Sequence, residues 1–164
     1  MEIKVIELSD SFIDEASLLL AAYRFESDWD NQKQEECKAT LLCLLKLNQV
    51  FCLLAQHEGS CLGFLTFHWG FSMTKGLPIL KIQDVFTLPS YRKLGIAKTL
   101  INHTIEIANN FGAHRLQLET DTDNIPARTL YSNIGFEWIA HKEVFMLPLK
   151  QWKYIHQQEE RNEQ

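Results

Sequence analysis

The order of apolar and polar positions in the first half of the chain predicts a strand, two helices and a hairpin. The opening EIKVIEL alternates as a strand does, and DSFIDEASLLLAAYRF then places apolar residues at the helical period. The polar stretch ESDWDNQKQ predicts a loop before a second helix in EECKATLLCLLKL. The strands VFCLLAQ and CLGFLTFHW flank HEGS, whose polar and glycine content predicts a hairpin turn.

The second half of the chain continues this alternation of strands and helices. After the turn-rich GFSMTKGLP comes a strand, ILKIQDVFTL, which Pro89 ends or leaves at a sheet edge. A helix follows, and Gly112 stands just beyond it as a terminator. Its apolar or small positions keep a 3.6-residue period: Ala97, Leu100, Ile101, Thr104, Ile105, Ala108 and Phe111. HRLQLET predicts a short strand, PARTLYSNI a short helix, and GFEWI and KEVFMLPL two more strands.

These elements predict an α/β fold of the mixed α+β kind. We expect one mixed, mostly antiparallel sheet of about seven strands flanked by helices. No repeat or linker interrupts the order of elements, so we expect a single domain over residues 1–150, followed by a polar tail at residues 151–164.

Charge and apolar content narrow the classes of partner. The 16 basic and 21 acidic residues leave a net charge of −5, which argues against a nucleic-acid surface and favours a neutral or cationic partner. The start MEIKVIELSD lacks the basic-then-apolar layout of a signal peptide. The most apolar stretch, LLCLLKLNQVFCLLA, is interrupted by polar residues well short of a membrane span. We therefore expect a cytoplasmic protein without a membrane partner.

Cysteine and histidine positions do not predict a metal site. The spacing of the four cysteines matches neither a zinc ribbon nor a CxxC redox pair, so we expect reduced and mostly buried thiols. These cysteines are Cys37, Cys43, Cys52 and Cys61. The six histidines are too scattered to act as a ligand set.

The stretch YRKLGIAKTL places a glycine where an amphipathic helix begins, although glycine costs about 1 kcal/mol relative to alanine inside a helix. A helix N-terminus has unpaired N–H groups and a partial positive charge, so it can hold a phosphate that the backbone approaches closely. Gly95 would leave room for that approach, Ala97 keeps the next inward position small, and Arg92, Lys93 and Lys98 add positive charge. The alternative is a tight turn with solvated basic residues.

Residues 85 to 97, VFTLPSYRKLGIA, resemble motif A of the GNAT superfamily of N-acetyltransferases. That motif reads Gln or Arg, two residues, Gly, one residue, then Gly or Ala, and Arg92, Gly95 and Ala97 match it. The resemblance implies acetyl-coenzyme A as co-substrate, with its pyrophosphate on the turn. The implied turn residues are Arg92, Lys93, Leu94, Gly95, Ile96, Ala97 and Lys98.

A second stretch, LETDTDNIPARTLYSNIGF, resembles motif B of the same family through Glu119, Asn124, Tyr131 and the closing Gly135 and Phe136. The resemblance covers about residues 2–148 and implies one GNAT-type domain. It implies that Tyr131 contacts the cofactor and protonates the departing thiolate. Asn124 would bond the pantetheine or orient its helix, and it also suits a helix cap.

Attack of an amine on a thioester needs a proton acceptor, a donor that stabilises the developing oxyanion, and a proton for the thiolate. The resemblance implies a bulge in the strand before the turn, with Val85, Phe86 and Thr87 holding the pantetheine arm. A backbone N–H on that strand would polarise the acetyl carbonyl. For the general base, Glu119, Asp84 and an ordered water all remain open.

Residues 64 to 88 look like the diamine acetyltransferase-like branch, which usually has Glu-Asp where this chain has Gln83 and Asp84. Glutamine cannot act as a base or as a full counter-charge, so this departure concerns polyamine specificity and not acetyl transfer. The resemblance also implies that the loop between the first two helices borders the acceptor cleft. Asp28, Trp29 and Asp30 of this loop would then receive a cationic amine, or else form a solvated acidic loop in which Trp29 packs on the domain.

These features favour an N-acetyltransferase that acts on a primary amine of a small molecule. A protein lysine or N-terminal acetyltransferase and a non-catalytic coenzyme A-binding regulatory module are the alternatives. We also expect a possible homodimer, with the KEVFMLPL strand as the edge that pairs.

Overall fold

The computed structural model describes residues 1–151, in which the elements follow the predicted order as far as the last helix. The strands are β1 (Lys4–Glu7), β2 (Val50–His57), β3 (Ser60–Ser72), β4 (Leu77–Thr87) and β5 (Arg115–Gln117). The helices are α1 (Ile13–Phe25), α2 (Asn31–Leu45), α3 (Ile96–Asn110) and α4 (Ile125–Ile134). From residue 152 on, the predicted polar tail lies outside the described residues. The described chain forms two compact units, residues 1–130 and a second unit that begins at Tyr131.

The sheet is mixed, as predicted, and its strands lie in the order β1-β2-β3-β4-β5. Neighbouring strands are antiparallel except for β4 and β5, which are parallel. The predicted hairpin turn between β2 and β3 is formed by Glu58 (φ 47°) and Gly59 (φ 83°). Two consecutive residues with positive φ match the right-handed twist of the flanking strands, so this short turn fixes the hairpin register.

The prediction of about seven strands is wrong for the residues that the structure describes, because these contain a sheet of five strands. GFEWI and KEVFMLPL form no strand, and most of their large apolar residues are exposed, for example Trp138 at 75% and Phe145 at 87%. Alternation makes a strand only where a neighbouring strand supplies hydrogen-bond partners, and residues 131–151 contain no strand of their own. The homodimer stays a prediction, but KEVFMLPL, its expected pairing edge, is not a strand in the described chain.

Apolar residues on both faces of the sheet are covered by helices. On one face, Phe64 and Phe86 belong to a core cluster with Ile13, Leu19 and Leu41 of α1 and α2. On the other face, α3 packs against β2, β3 and β4 and buries side chains such as Ile96, Leu100 and Ile101. The prediction of mostly buried thiols is confirmed, since all four cysteines are free and Cys43 alone is exposed.

Gly63 lies where β3 comes closest to β4 and α3. A Cβ atom there would lie 2.6 Å from the backbone oxygen of Phe86 and 3.2 Å from Cγ2 of Ile96. We expect Gly63→Ala to lower the free energy of unfolding by about 1–3 kcal/mol, because a backbone atom cannot rotate away as a side chain can. Urea unfolding followed by circular dichroism measures this change.

Gly70 of the same strand provides a matched control. A Cβ at Gly70 would meet its nearest atom, Cε of Lys81, at 3.8 Å, which is ordinary contact. Gly70→Ala should therefore leave the free energy of unfolding within about 0.5 kcal/mol of wild type. Equal effects of the two substitutions would contradict the close approach at Gly63.

Candidate active site

The glycine turn connects β4 to α3 and leaves the start of α3 uncapped. After β4 a short 3₁₀ turn, Pro89–Tyr91, reverses the chain, and Lys93 (φ 63°) and Gly95 (φ 83°) then take left-handed conformations. Gly95 occupies the N-cap position of α3, where no side chain accepts a hydrogen bond from the helix. In α2, by contrast, the Asp30 side chain accepts from the backbone N–H of Lys33 at 3.0 Å. The first N–H groups of α3 therefore remain available to an anion.

The surroundings of Gly95 fit a phosphate. A Cβ at this position would meet no atom within 4 Å, so the glycine is required by its positive φ and leaves open space beside the helix start. Arg92, Lys93 and Lys98 are exposed around the same turn and make it positive. Arg92 also has a structural bond, because its Nε donates to the backbone oxygen of Thr87 at 3.2 Å and ties the turn to the end of β4.

A bulge in β4 lies at Gln83. Asp84 pairs with Thr66 and Ile82 pairs with Phe67, so Gln83 has no partner in β3 and is exposed. The recorded pairing of β4 with β5 ends at Lys81 opposite Gln117. From Ile82 onward the β5 side of this strand is therefore unpaired in the described part of the chain.

The hydrogen-bond alternation along β4 determines which backbone groups face that unpaired side. Just after β4, the N–H of Leu88 donates to the backbone oxygen of Leu62 at 2.9 Å. Because every second residue of an antiparallel strand bonds to the neighbouring strand, the even-numbered residues from Asp84 to Leu88 are the ones that bond to β3. Val85 and Thr87 consequently direct their N–H and C=O groups away from β3, and both were predicted to hold the pantetheine arm. Phe86 was predicted with them, but its backbone faces β3 and its side chain is buried in the core cluster.

Asp84 accepts a hydrogen bond on each carboxylate oxygen. Tyr23 Oη of α1 donates to Oδ1 at 3.0 Å, and Thr66 Oγ1 of β3 donates to Oδ2 at 2.5 Å. Close by, burial chiefly and the charge of Asp84 secondarily raise the pKa of Cys52 to about 12, so this cysteine stays a neutral thiol. Sequence reasoning missed Tyr23 and Thr66, because no local pattern links a helix residue to a carboxylate 61 positions later.

Glu119 and Asn124 lie between β5 and α4. Glu119 was expected on a strand, but β5 ends at Gln117 and Glu119 is exposed in the following loop. Asn124 takes the capping role that was one of its predicted functions, because its Oδ1 accepts from the backbone N–H of Ala127 at 3.3 Å. The structure records no bond between Glu119 and Asp84 among the described residues.

Tyr131 lies in the second unit, at a helix end that motif B specifies. Gly135 (φ 115°) follows α4, with Gly135 N–H donating to the Ser132 oxygen at 3.1 Å and Phe136 N–H to the Tyr131 oxygen at 3.0 Å. This is a Schellman motif, and the Tyr131 and Phe136 rings make its usual apolar contact at 5.9 Å between centroids. Burial raises the pKa of the Tyr131 phenol above its ordinary value of 10.0, so the group is protonated at neutral pH.

The acidic residues proposed to receive the acceptor have local partners. Asp28 forms an ion pair with Lys33 at 3.5 Å, and Asp30 caps α2. Helix α2 begins at Asn31, so the predicted loop ESDWDNQKQ is shorter than expected. Trp29 is half-buried. That these residues bind the acceptor amine remains a proposal.

Residues 1–151 contain no group of three or more histidine, cysteine or acidic side chains arranged to hold a metal ion. In the same residues, every helix is too short or too polar to cross a bilayer.

Comparison with known proteins agrees with the residue patterns. The chain is 30% identical over 100 residues to an N-alpha-acetyltransferase of Sulfurisphaera tokodaii, a match that covers 57% of this chain and 60% of that protein. It is 25% identical over 97 residues to an aminoglycoside N(6')-acetyltransferase type 1 of Salmonella typhimurium, covering 57% of this chain and 67% of that protein.

The crystal structure of a probable acetyltransferase superposes with a TM-score of 0.79 at 21% identity, over 90% of this chain and 98% of the other, which shows a shared fold. Residues 13–136 match the model of the acetyltransferase (GNAT) family, whose members use acetyl-coenzyme A. The chain belongs to the acetyltransferase (GNAT) family.

Proposed function

We propose that this protein transfers an acetyl group from acetyl-coenzyme A to a primary amine of a small molecule in the cytoplasm. The observation that carries the proposal is the uncapped start of α3 at Gly95, next to the unpaired side of β4. When bound, acetyl-coenzyme A supplies an acetyl thioester that is activated toward amines.

The chain offers two sets of groups to that cofactor. The N–H groups at the start of α3, with Lys93 and Lys98 beside them, suit the pyrophosphate. The outward-facing N–H and C=O of Val85 and the N–H of Thr87 suit an extended amide chain, as they would suit another strand, while the Thr87 oxygen already accepts from Arg92. One of their N–H groups would polarise the acetyl carbonyl.

We propose Asp84 as the general base. Its orientation is fixed through both oxygens, whereas Glu119 is exposed on a loop and has no such hydrogen bonds from residues 1–151. For Tyr131 as the proton donor, support comes from its place in motif B and from a phenol that is protonated at neutral pH.

The names of similar proteins support two acceptor classes, an aminoglycoside amine and an α-amino group. We favour a small amine, because the net charge of −5 and the Asp84 carboxylate suit a cationic molecule. The resemblance to the diamine acetyltransferase-like branch supports a polyamine, whereas Gln83 in place of a glutamate removes one counter-charge. We propose that the amine is bound by Asp84 and Gln83 of β4 and by three residues of the loop before α2: Asp28, Trp29 and Asp30.

Thiol release from acetyl-coenzyme A tests this proposal, with spermidine, kanamycin and a short peptide that has a free N-terminus and a lysine as acceptors. Acetylated spermidine or kanamycin, identified by mass spectrometry, is the expected product. If only the peptide is acetylated, the acceptor is a protein amine and not a small molecule. If the protein binds acetyl-coenzyme A but releases no thiol with any of the three acceptors, the proposed acetyltransferase activity is wrong.

A further inference from the structure

We propose that Tyr23 is a positioning residue that holds the Asp84 carboxylate in the orientation in which it accepts the proton of the amine. This inference rests on the proposed function with Asp84 as the base, and it adds a residue of α1 to the site. Tyr23 is outside both family motifs noted in the sequence.

The Tyr23 ring is fixed by two neighbouring aromatic side chains. Its centroid lies 5.4 Å from that of Phe64 in an edge-on arrangement at 81°, and 5.3 Å from that of Phe86 at 48°. Phe64 and Phe86 contact each other at 5.7 Å. Aromatic pairs at these separations and angles are favourable, so the three rings hold the phenol in place.

Phe86 also connects the Tyr23 ring to the strand that carries the base. Phe86 and Asp84 are two residues apart on β4, so both side chains project from the same face of the sheet. Thr66 lies directly opposite Asp84 on β3 and fixes the second oxygen. The carboxylate is therefore held from α1 on one oxygen and from β3 on the other.

Among the described residues, the hydrogen-bond donors to Asp84 are the neutral hydroxyls of Tyr23 and Thr66. The ion pairs recorded within residues 1–151 join Lys33 to Asp28 and Lys38 to Asp14 and Glu35, so none of them neutralises Asp84. A carboxylate has about four lone-pair positions, and two donors leave positions for an amine N–H. The arrangement orients the carboxylate without cancelling the charge that would attract a cationic amine.

Exposure distinguishes Tyr23 from a purely structural tyrosine. Tyr23 is 43% exposed and Asp84 is half-buried, and the hydrogen bond between them lies at an exposed position. The two aromatic partners are buried, with exposures of 5% for Phe64 and 8% for Phe86. The Tyr23 ring thus packs on the buried Phe64 and Phe86, and its hydroxyl bonds to the proposed base at an exposed position.

A double-mutant cycle tests the inference, using Tyr23→Phe, Asp84→Asn and the combined variant. The probe is whichever of spermidine, kanamycin or the peptide the wild-type enzyme acetylates fastest. We expect Tyr23→Phe to lower kcat about 10-fold with the KM for acetyl-coenzyme A unchanged, because a hydrogen bond to a charged group is lost. In the Asp84→Asn background the same substitution should change kcat by less than about 2-fold.

Two controls separate positioning from packing. Tyr23→Phe keeps the ring that packs on Phe64 and Phe86, so its urea unfolding midpoint should fall only slightly, by the contribution of the one hydrogen bond to Asp84. Thr40→Val removes a hydroxyl on α2 that donates to the oxygen of Glu36, and kcat should not change.

The possible failures point to different conclusions. An equal loss from Tyr23→Phe in both backgrounds would show that Tyr23 acts independently of Asp84, and it would overturn the inference while the proposed function stands. Full activity of Asp84→Asn would overturn it too, because Asp84 would then not be the base. If the wild-type enzyme acetylates none of the three probes, the proposed function fails and the inference fails with it.

Discussion

Replacing Tyr131 with phenylalanine is expected to lower kcat by about 10²- to 10⁴-fold, the range that general acid catalysis typically contributes. The substitution removes the hydroxyl that we propose as proton donor to the departing thiolate. It keeps the ring that contacts Phe136 and leaves the backbone bonds that end α4 unchanged. Steady-state kinetics with the acceptor at saturation measures the effect, and the KM for acetyl-coenzyme A should change little.

The pH dependence gives this prediction a second readout. Because burial raises the pKa of the Tyr131 phenol above 10.0, the donor is present at neutral pH and is lost only as the pH rises through that raised value. Any alkaline decrease in kcat caused by Tyr131 should therefore have its midpoint above pH 10.0 and disappear in Tyr131→Phe. Near-normal kcat in this variant, with chemistry shown to be rate-limiting, would mean that water protonates the thiolate.

Features that depend on a few neighbouring residues could be predicted from the sequence. Gly112 ends α3 in a Schellman motif, with its N–H on the Asn109 oxygen and that of Ala113 on the Ala108 oxygen, because a positive φ at one glycine decides the geometry. Pro89 ends β4 and Gly95 opens α3 for similarly local reasons. The turn of the candidate site was therefore predictable.

Features that depend on residues far apart in sequence could not be predicted. Tyr23 and Asp84 meet only after α1 packs against the sheet, and neither residue's neighbours indicate the other. The strand pattern of KEVFMLPL contains no information on whether a partner strand is present. Asp30 was predicted to bind the acceptor amine, which stays a prediction, and the structure adds a local role, because its side chain caps α2 as an aspartate before a helical run typically does.

Gly95→Val is expected to weaken acetyl-coenzyme A binding by at least about 100-fold. A valine side chain would enter the open space beside the start of α3, and a residue with a branched Cβ strongly disfavours φ 83°. Hydrogen bonds to a charged group contribute about 1.5–3 kcal/mol each, so the loss of two from the pyrophosphate would be enough. Isothermal titration calorimetry with acetyl-coenzyme A measures the change.

Gly59→Val separates the loss of the phosphate site from backbone strain. Gly59 has the same φ of 83°, and a Cβ there would likewise meet no atom within 4 Å, but this glycine lies in the β2–β3 hairpin turn. Both substitutions should lower the free energy of unfolding by about 1–3 kcal/mol, since each forces a branched residue into a left-handed conformation. Only Gly95→Val should reduce affinity for acetyl-coenzyme A. An unchanged affinity in Gly95→Val would show that the pyrophosphate does not bind at this turn. Because strain is common to both variants, an equal loss of affinity in Gly59→Val would show that general destabilisation causes the effect.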